Sequence, residues 1–143
     1  MADPADGGRT TGGGLGLHPR LKIAGAWTSL MFCYLYDDEF GLYRTGKLAA
    51  ISAGRTPLGP TTQQLLLLFS VMMSVPAVMV FLSLVLPRAI SRVLNIVLGA
   101  LYAVIVVVTM IHGWQFDLYF LALDVALSAA IVLLALRWPR TFA

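Results

Sequence analysis

Between Arg55 and Arg88 the chain carries no charged residue. A helix needs roughly 20 apolar residues to cross about 30 Å of hydrocarbon, and the core of this stretch, Leu65 to Leu86, supplies them. Three more apolar blocks follow the same logic. The first runs from Leu21 to Tyr36 and meets Asp37, Asp38 and Glu39. The others run from Val93 to Ile111 and from Leu118 to Leu136, the last with Asp124 inside it. Runs such as LLLLF and AVIVVV do not alternate as barrel strands do. The expected fold is therefore all-α, an integral membrane four-helix bundle with spans at about 21–40, 63–87, 92–112 and 117–137.

Composition removes the other classes. Hydrophobic residues make up 59% of the chain, charged residues 12%, and mean hydropathy is +0.83. Soluble domains carry about 25% charge, and a small one buries only about two-thirds of its surface. The ten Lys and Arg are scattered among apolar blocks, so no basic face is available for nucleic acid. One cysteine, Cys33, cannot build a disulfide framework.

Arg20 and Lys22 before the first block resemble the start of a signal peptide. The long Gly-rich leader and the lack of a small-x-small cleavage site make it a retained span instead. Residues 1–17 read as a disordered cytoplasmic tail, and residues 18–143 as the four-helix transmembrane domain. With four spans, Arg9, Arg20, Lys22, Arg88, Arg92, Arg137 and Arg140 fall on one side, and Arg44, Lys47 and Arg55 on the other. The positive-inside rule then places both termini in the cytoplasm of a multi-pass protein of the cell membrane. Trp138 and Trp114 suit the two interfaces. The segment Gly41 to Thr62 reads as a long outer loop. The short connections PRAIS and HGWQF predict that spans two, three and four are antiparallel neighbours.

An ionisable group at membrane depth is a functional hypothesis by default. With a rise of about 1.5 Å per residue, Asp37 and Asp38 lie about 22–24 Å above the inner boundary and Asp124 about 18 Å above it. Asp117, Asp124 and Ser128 share one helix face. Tyr34, Tyr36, Tyr102, His112, Trp114 and Tyr119 reach the same zone. So does Ser74, beside Pro76, whose missing N–H frees a carbonyl one turn earlier. The expectation is an acidic cavity, lined by aromatic side chains and open to the outer side, with Asp38 and Asp124 as its working pair.

Plainer readings stand beside it. The Asp37–Glu39 cluster can simply end the first helix at the water interface, and Asp124 can bond a neighbouring helix. His112 has no second ligand at zinc spacing. Met72, Met73 and Met79 read as packing, and Cys33 as a small apolar residue. Ala122, Ala126 and Ala130, with Gly25 and Ser29 and with Gly99 and Ala103, follow the small-xxx-small spacing that permits close helix approach and a homo-oligomer.

The stretch from Trp27 to Asp38 (WTSLMFCYLYDD), then Ser74 to Val80 (SVPAVMV) and Arg92 to Gly99 (RVLNIVLG) resembles a small family of bacterial four-span membrane proteins of unknown function. The resemblance covers all four spans and omits the tail. It implies that Tyr34, Tyr36 and Asp38 close helix one, that Asn95 belongs to helix three, and that Asp124 stands where a Glu is usual. Cys33 replaces an expected Asn, and Ser74 an expected Glu. The resemblance implies a fold and no activity.

Three functions remain open. One is a membrane-embedded enzyme in which the two acids drive cyclisation, isomerisation or epoxide opening of a lipophilic small molecule, with aromatic rings steadying positive charge. No metal or cofactor is implied, since the chain has no P-loop, GxGxxG, HExxH or GxSxG pattern. The second is a proton- or cation-coupled transporter or channel subunit acting as an oligomer. The third is an accessory subunit without a site of its own.

Overall fold

The computed structural model describes residues 17–138. The expected N-terminal tail lies outside the described residues except for Leu17, as do Arg9 and Arg140 of the charge count. The chain forms α1 (Pro19–Gly41), α2 (Lys47–Ser52), the two-residue strands β1 (Arg55–Thr56) and β2 (Gly59–Pro60), α3 (Gln63–Val85), α4 (Arg88–Met110) and α5 (Gln115–Leu136).

Local chemistry sets the helix starts. Pro19 occupies the first turn of α1, where its missing N–H is not needed. The His18 ring accepts from Arg20 N–H at 3.3 Å. Thr62 Oγ1 accepts from Leu65 N–H at 3.2 Å to begin α3. The Asp117 carboxylate accepts from Trp114 N–H at the start of α5. The 41–62 segment, expected as a loop, contains α2 and a small hairpin that pairs Arg55 with Pro60 and Thr56 with Gly59. The turns hold because Gly46 and Gly59 take positive φ, which costs glycine nothing.

Polarity is inverted relative to a soluble bundle. Asn95, Asp124, Ser83, Ser91 and Ser128 have no exposed surface, whereas Val108 is 71% and Phe81 63% exposed. Water penalises that arrangement and hydrocarbon rewards it. Helices α3, α4 and α5 are each long and apolar enough to cross a membrane, which marks a multi-pass membrane protein. Helix α1 matches α3 and α4 in length, at 23 residues, but is more polar.

Helix α1 packs between α3 and α5, and α5 packs in turn on α4. Helices α3 and α4, expected to pack closely because only Leu86 and Pro87 join them, make little backbone contact. Side-chain contacts tie α4 to α1 and α3. Trp27 stacks edge-on against Tyr102 at 6.1 Å, and Trp27 Nε1–H donates to Asn95 Oδ1 at 2.6 Å. Asn95 Oδ1 also accepts from Ser83 Oγ–H at 3.1 Å, and Asn95 Nδ2–H donates to Ser91 O at 2.7 Å. Where α4 meets α5, Gly99 permits the close approach, since a Cβ there would lie 3.1 Å from Val132 Cγ2.

The two ends differ in charge. At one end, Arg20 donates to Leu84 O at 2.8 Å, Arg88 to Trp138 O at 2.9 Å and Arg92 to Leu136 O at 3.3 Å. These bonds occupy carbonyls that the ends of α3 and α5 leave without helical partners. The opposite end carries Asp37, Asp38, Glu39 and Asp117.

Candidate functional site

Helix α1 buries Ile23, Trp27, Leu30 and Tyr34, at spacings of four, three and four. The next step of three reaches Asp37, which is half-buried, while Asp38 is exposed. Helix α5 buries Asp117, Phe120, Asp124, Ser128, Ile131 and Ala135 along one stripe. The stripes meet toward the acidic end, where Phe40 stacks on Phe120 at 6.2 Å.

Asp124 is enclosed between them. The Cys33 thiol stands beside its carboxyl, and Asp37 and Tyr34 lie within electrostatic reach. Apart from the Cys33 thiol beside it, the Asp124 carboxyl has no hydrogen-bond partner, and Asp37 Oδ1, Tyr34 Oη and Ser128 Oγ are buried without one. Native interiors leave few such atoms, which sets this group of side chains apart from the rest of the described interior. Asp37 also abuts Asp117, so three carboxyls follow one another from the interior to the acidic end, a polar path of neighbouring side chains.

Above this path lies an open cleft of about 460 Å³. Phe40, Tyr43, Trp114, Phe116, Tyr119 and Phe120 surround Arg44 in it. The Arg44 guanidinium pairs with Asp117 and sits 4.9 Å from the Phe116 ring centroid and 5.6 Å from that of Trp114. The spacing of Phe40 and Tyr43 on one side, and of Phe116, Tyr119 and Phe120 on the other, turns these rings toward a common space.

The residues expected at the site divide into three groups. Tyr34, Asp37, Asp117 and Asp124 come together in the polar path, and Trp114 and Tyr119 line the cleft. Asp38 is exposed and has Lys47 as its charged neighbour, and Tyr36 is exposed against Phe32. Ser74 is exposed on α3 and donates to Ser70 O at 2.6 Å, and His112 is exposed. Tyr102 and Asn95 take structural bonds. Tyr102 Oη–H donates to Met72 O, the carbonyl that Pro76 leaves free one turn later. Asn95 holds α1, α3 and α4 together through Trp27 and Ser83.

Sequence reasoning passed over Cys33 as a neighbour of Asp124, and took Arg44 only as one of the outer-side charges. The signal for Arg44 was its place as the first base after the acidic cluster, just beyond Phe40 and Tyr43.

The model of a family described as "Family of unknown function (DUF6326)" matches residues 19–142, and the chain belongs to that family. No curated protein and no solved structure matches the chain.

Proposed function

We propose that this member of a family of unknown function is a four-span protein of the cell membrane, with both termini cytoplasmic, whose Asp37 and Asp124 form an outward-facing acid–base site for a lipophilic small molecule. The observation that carries this reading is the cluster of buried polar atoms on Tyr34, Asp37, Asp124 and Ser128, which have no hydrogen-bond partner but the Cys33 thiol beside Asp124. An ionised Asp124 with only the Cys33 thiol beside it would be costly in an apolar interior, so the carboxyl exchanges a proton or meets a positive centre. Asp37 takes the part first assigned to Asp38 because it, and not Asp38, lies within reach of Asp124. One carboxyl donates a proton to the substrate and the other accepts one, the pattern suited to cyclisation, isomerisation or epoxide opening. The aromatic cleft serves as the entrance from the outer side.

The reading of α1 as a fourth span is supported by its packing between α3 and α5 and by its length, about 35 Å at the helical rise. The proposed orientation is supported by Arg20, Lys22, Arg88, Arg92 and Arg137 at one end of the described bundle. The test is mass spectrometry of lipid extracts from cells expressing the wild type or Asp124→Asn at equal folded levels. The proposal expects a lipophilic compound whose amount changes with the wild type and not with the variant. Identical extracts would end the acid–base reading.

One observation favours a second reading. Ala122 and Ala126 are exposed on α5, a face that a second copy could cover, as a transporter or channel subunit would require. In that case Asp124→Asn alone removes proton or cation coupling, and Asp37→Asn matters little.

A further inference from the structure

The outer cleft already holds a cation of its own. The Arg44 guanidinium lies over Phe116 and Trp114 and pairs with Asp117, whose side chain is only 4% exposed. Aromatic faces attract a delocalised cation, most strongly when it is desolvated, and a buried carboxylate adds charge. Among the described residues toward this end, the five acids Asp37, Asp38, Glu39, Asp117 and Asp124 outnumber the three bases Arg44, Lys47 and Arg55. This end is therefore acidic in a chain whose net charge is +3. The Arg44 side chain is 30% exposed, it lies beyond the end of α1, and its Nε is buried without a partner. Its departure leaves the buried Asp117 carboxylate without a cation, so the seat is vacated only for a group that brings a positive charge of its own.

We propose that the cleft binds lipophilic molecules that carry a delocalised organic cation, and that Arg44 occupies the seat as a tethered competitor which such a molecule displaces. The cleft volume of about 460 Å³ is in the range of small-molecule sites, and departure of the Arg44 side chain enlarges it. The proposal names the substrate class of the site described above and rests on that reading for the route from cleft to carboxyls. A substrate that bears or develops positive charge would meet the aromatic ring first and Asp37 and Asp124 beneath it.

The test uses the full chain in lipid nanodiscs, with tetraphenylphosphonium as probe and tetraphenylborate as its anionic counterpart of similar shape, both measured by calorimetry. Wild type should bind the phosphonium and not the borate. Because a competitor that fills the seat most of the time lowers apparent affinity by the fraction of time the seat is free, Arg44→Gln should tighten phosphonium binding about tenfold or more. Arg44→Lys, which keeps the charge and loses the flat stacking surface, should fall between the two and decides the matter if Arg44→Gln does not fold. In the Arg44→Gln background, Asp117→Asn should weaken binding about tenfold, the size of a lost charge contact. Equal binding of the borate, or unchanged or weaker phosphonium binding in both Arg44 variants, would overturn the proposal. Asp124→Asn separates the two claims. Lost conversion with phosphonium binding kept leaves both standing, unchanged conversion with binding kept removes only the acid–base function, and absent wild-type binding with conversion lost removes only the cation site.

Discussion

Replacing Asn95 with Leu tests how the bundle is held together without touching the acidic path. Asn95 has no exposed surface, and its Oδ1 accepts from Trp27 Nε1–H on α1 and Ser83 Oγ–H on α3. Leucine keeps the branched outline of the side chain but leaves both donors without that acceptor. The Ser83 hydroxyl can turn to a carbonyl one turn back on its own helix. The indole N–H has no such alternative. Hydrogen bonds between membrane helices average about 0.6 kcal/mol and reach about 1.7. One fully lost bond and one partly recovered one therefore cost about 1–2 kcal/mol, a five- to thirtyfold shift in the unfolding equilibrium. Titration with denaturing detergent from mixed micelles, followed by circular dichroism, measures that shift. Trp27→Phe removes the same α1–α4 bond, so a double-mutant cycle should return a coupling of about 0.6–1.7 kcal/mol. Wild-type stability in Asn95→Leu to within about 0.5 kcal/mol, or a coupling near zero, would refute the role given to Asn95.

Gly99→Leu should destabilise by about 1–3 kcal/mol in the same titration, because the added atoms start 3.1 Å from Val132 Cγ2 and 3.3 Å from Ile131 Cγ2 and must push α4 from α5. Gly113→Ala should cost about 1 kcal/mol and shift Trp114 fluorescence, since its Cβ overlaps the Asp117 carboxyl that caps Trp114 N–H. For orientation, in a chain with Cys33 replaced by Ala, a cysteine at position 52 in place of Ser52 should react with an impermeant maleimide on intact cells. One in place of Thr10 should not, and the reverse pattern would invert the topology.

Much of this arrangement is written in the order of residues, and the missing parts have physical causes. Apolar runs and their punctuation announce the long helices, because a span must be about 20 residues long whatever it packs against. They do not announce which helices touch. The two-residue link at Leu86 and Pro87 suggested that α3 and α4 lie together, yet α3 packs chiefly on α1 and α4 on α5. Helical rise set Asp124 at the level of the α1 acids but says nothing about rotation, and Asp37 and Asp38 differ by about 100° around the axis at nearly equal height. The buried stripe of Ile23, Trp27, Leu30 and Tyr34 contains that information, because its next step of three lands on Asp37. The freed Met72 carbonyl was legible from Pro76, but its partner Tyr102 was not, since a distant helix supplies it. Arg44 was legible only as a charge for orientation, because a base in a loop carries no periodicity, and only the fold brings it to Asp117 and the aromatic ring.

The central claim, that Asp37 and Asp124 act as one acid–base pair, is tested most directly by comparing two neighbours on the same helix. Asp37→Asn, Asp38→Asn and Asp124→Asn are expressed at matched folded levels, and the lipophilic compound that distinguishes wild-type extracts is quantified in each. The account predicts that Asp37→Asn and Asp124→Asn each lose about 10²–10⁴-fold of the conversion, the contribution typical of a positioned acid or base, while Asp38→Asn keeps it. Conversion that survives Asp37→Asn and falls with Asp38→Asn would contradict it.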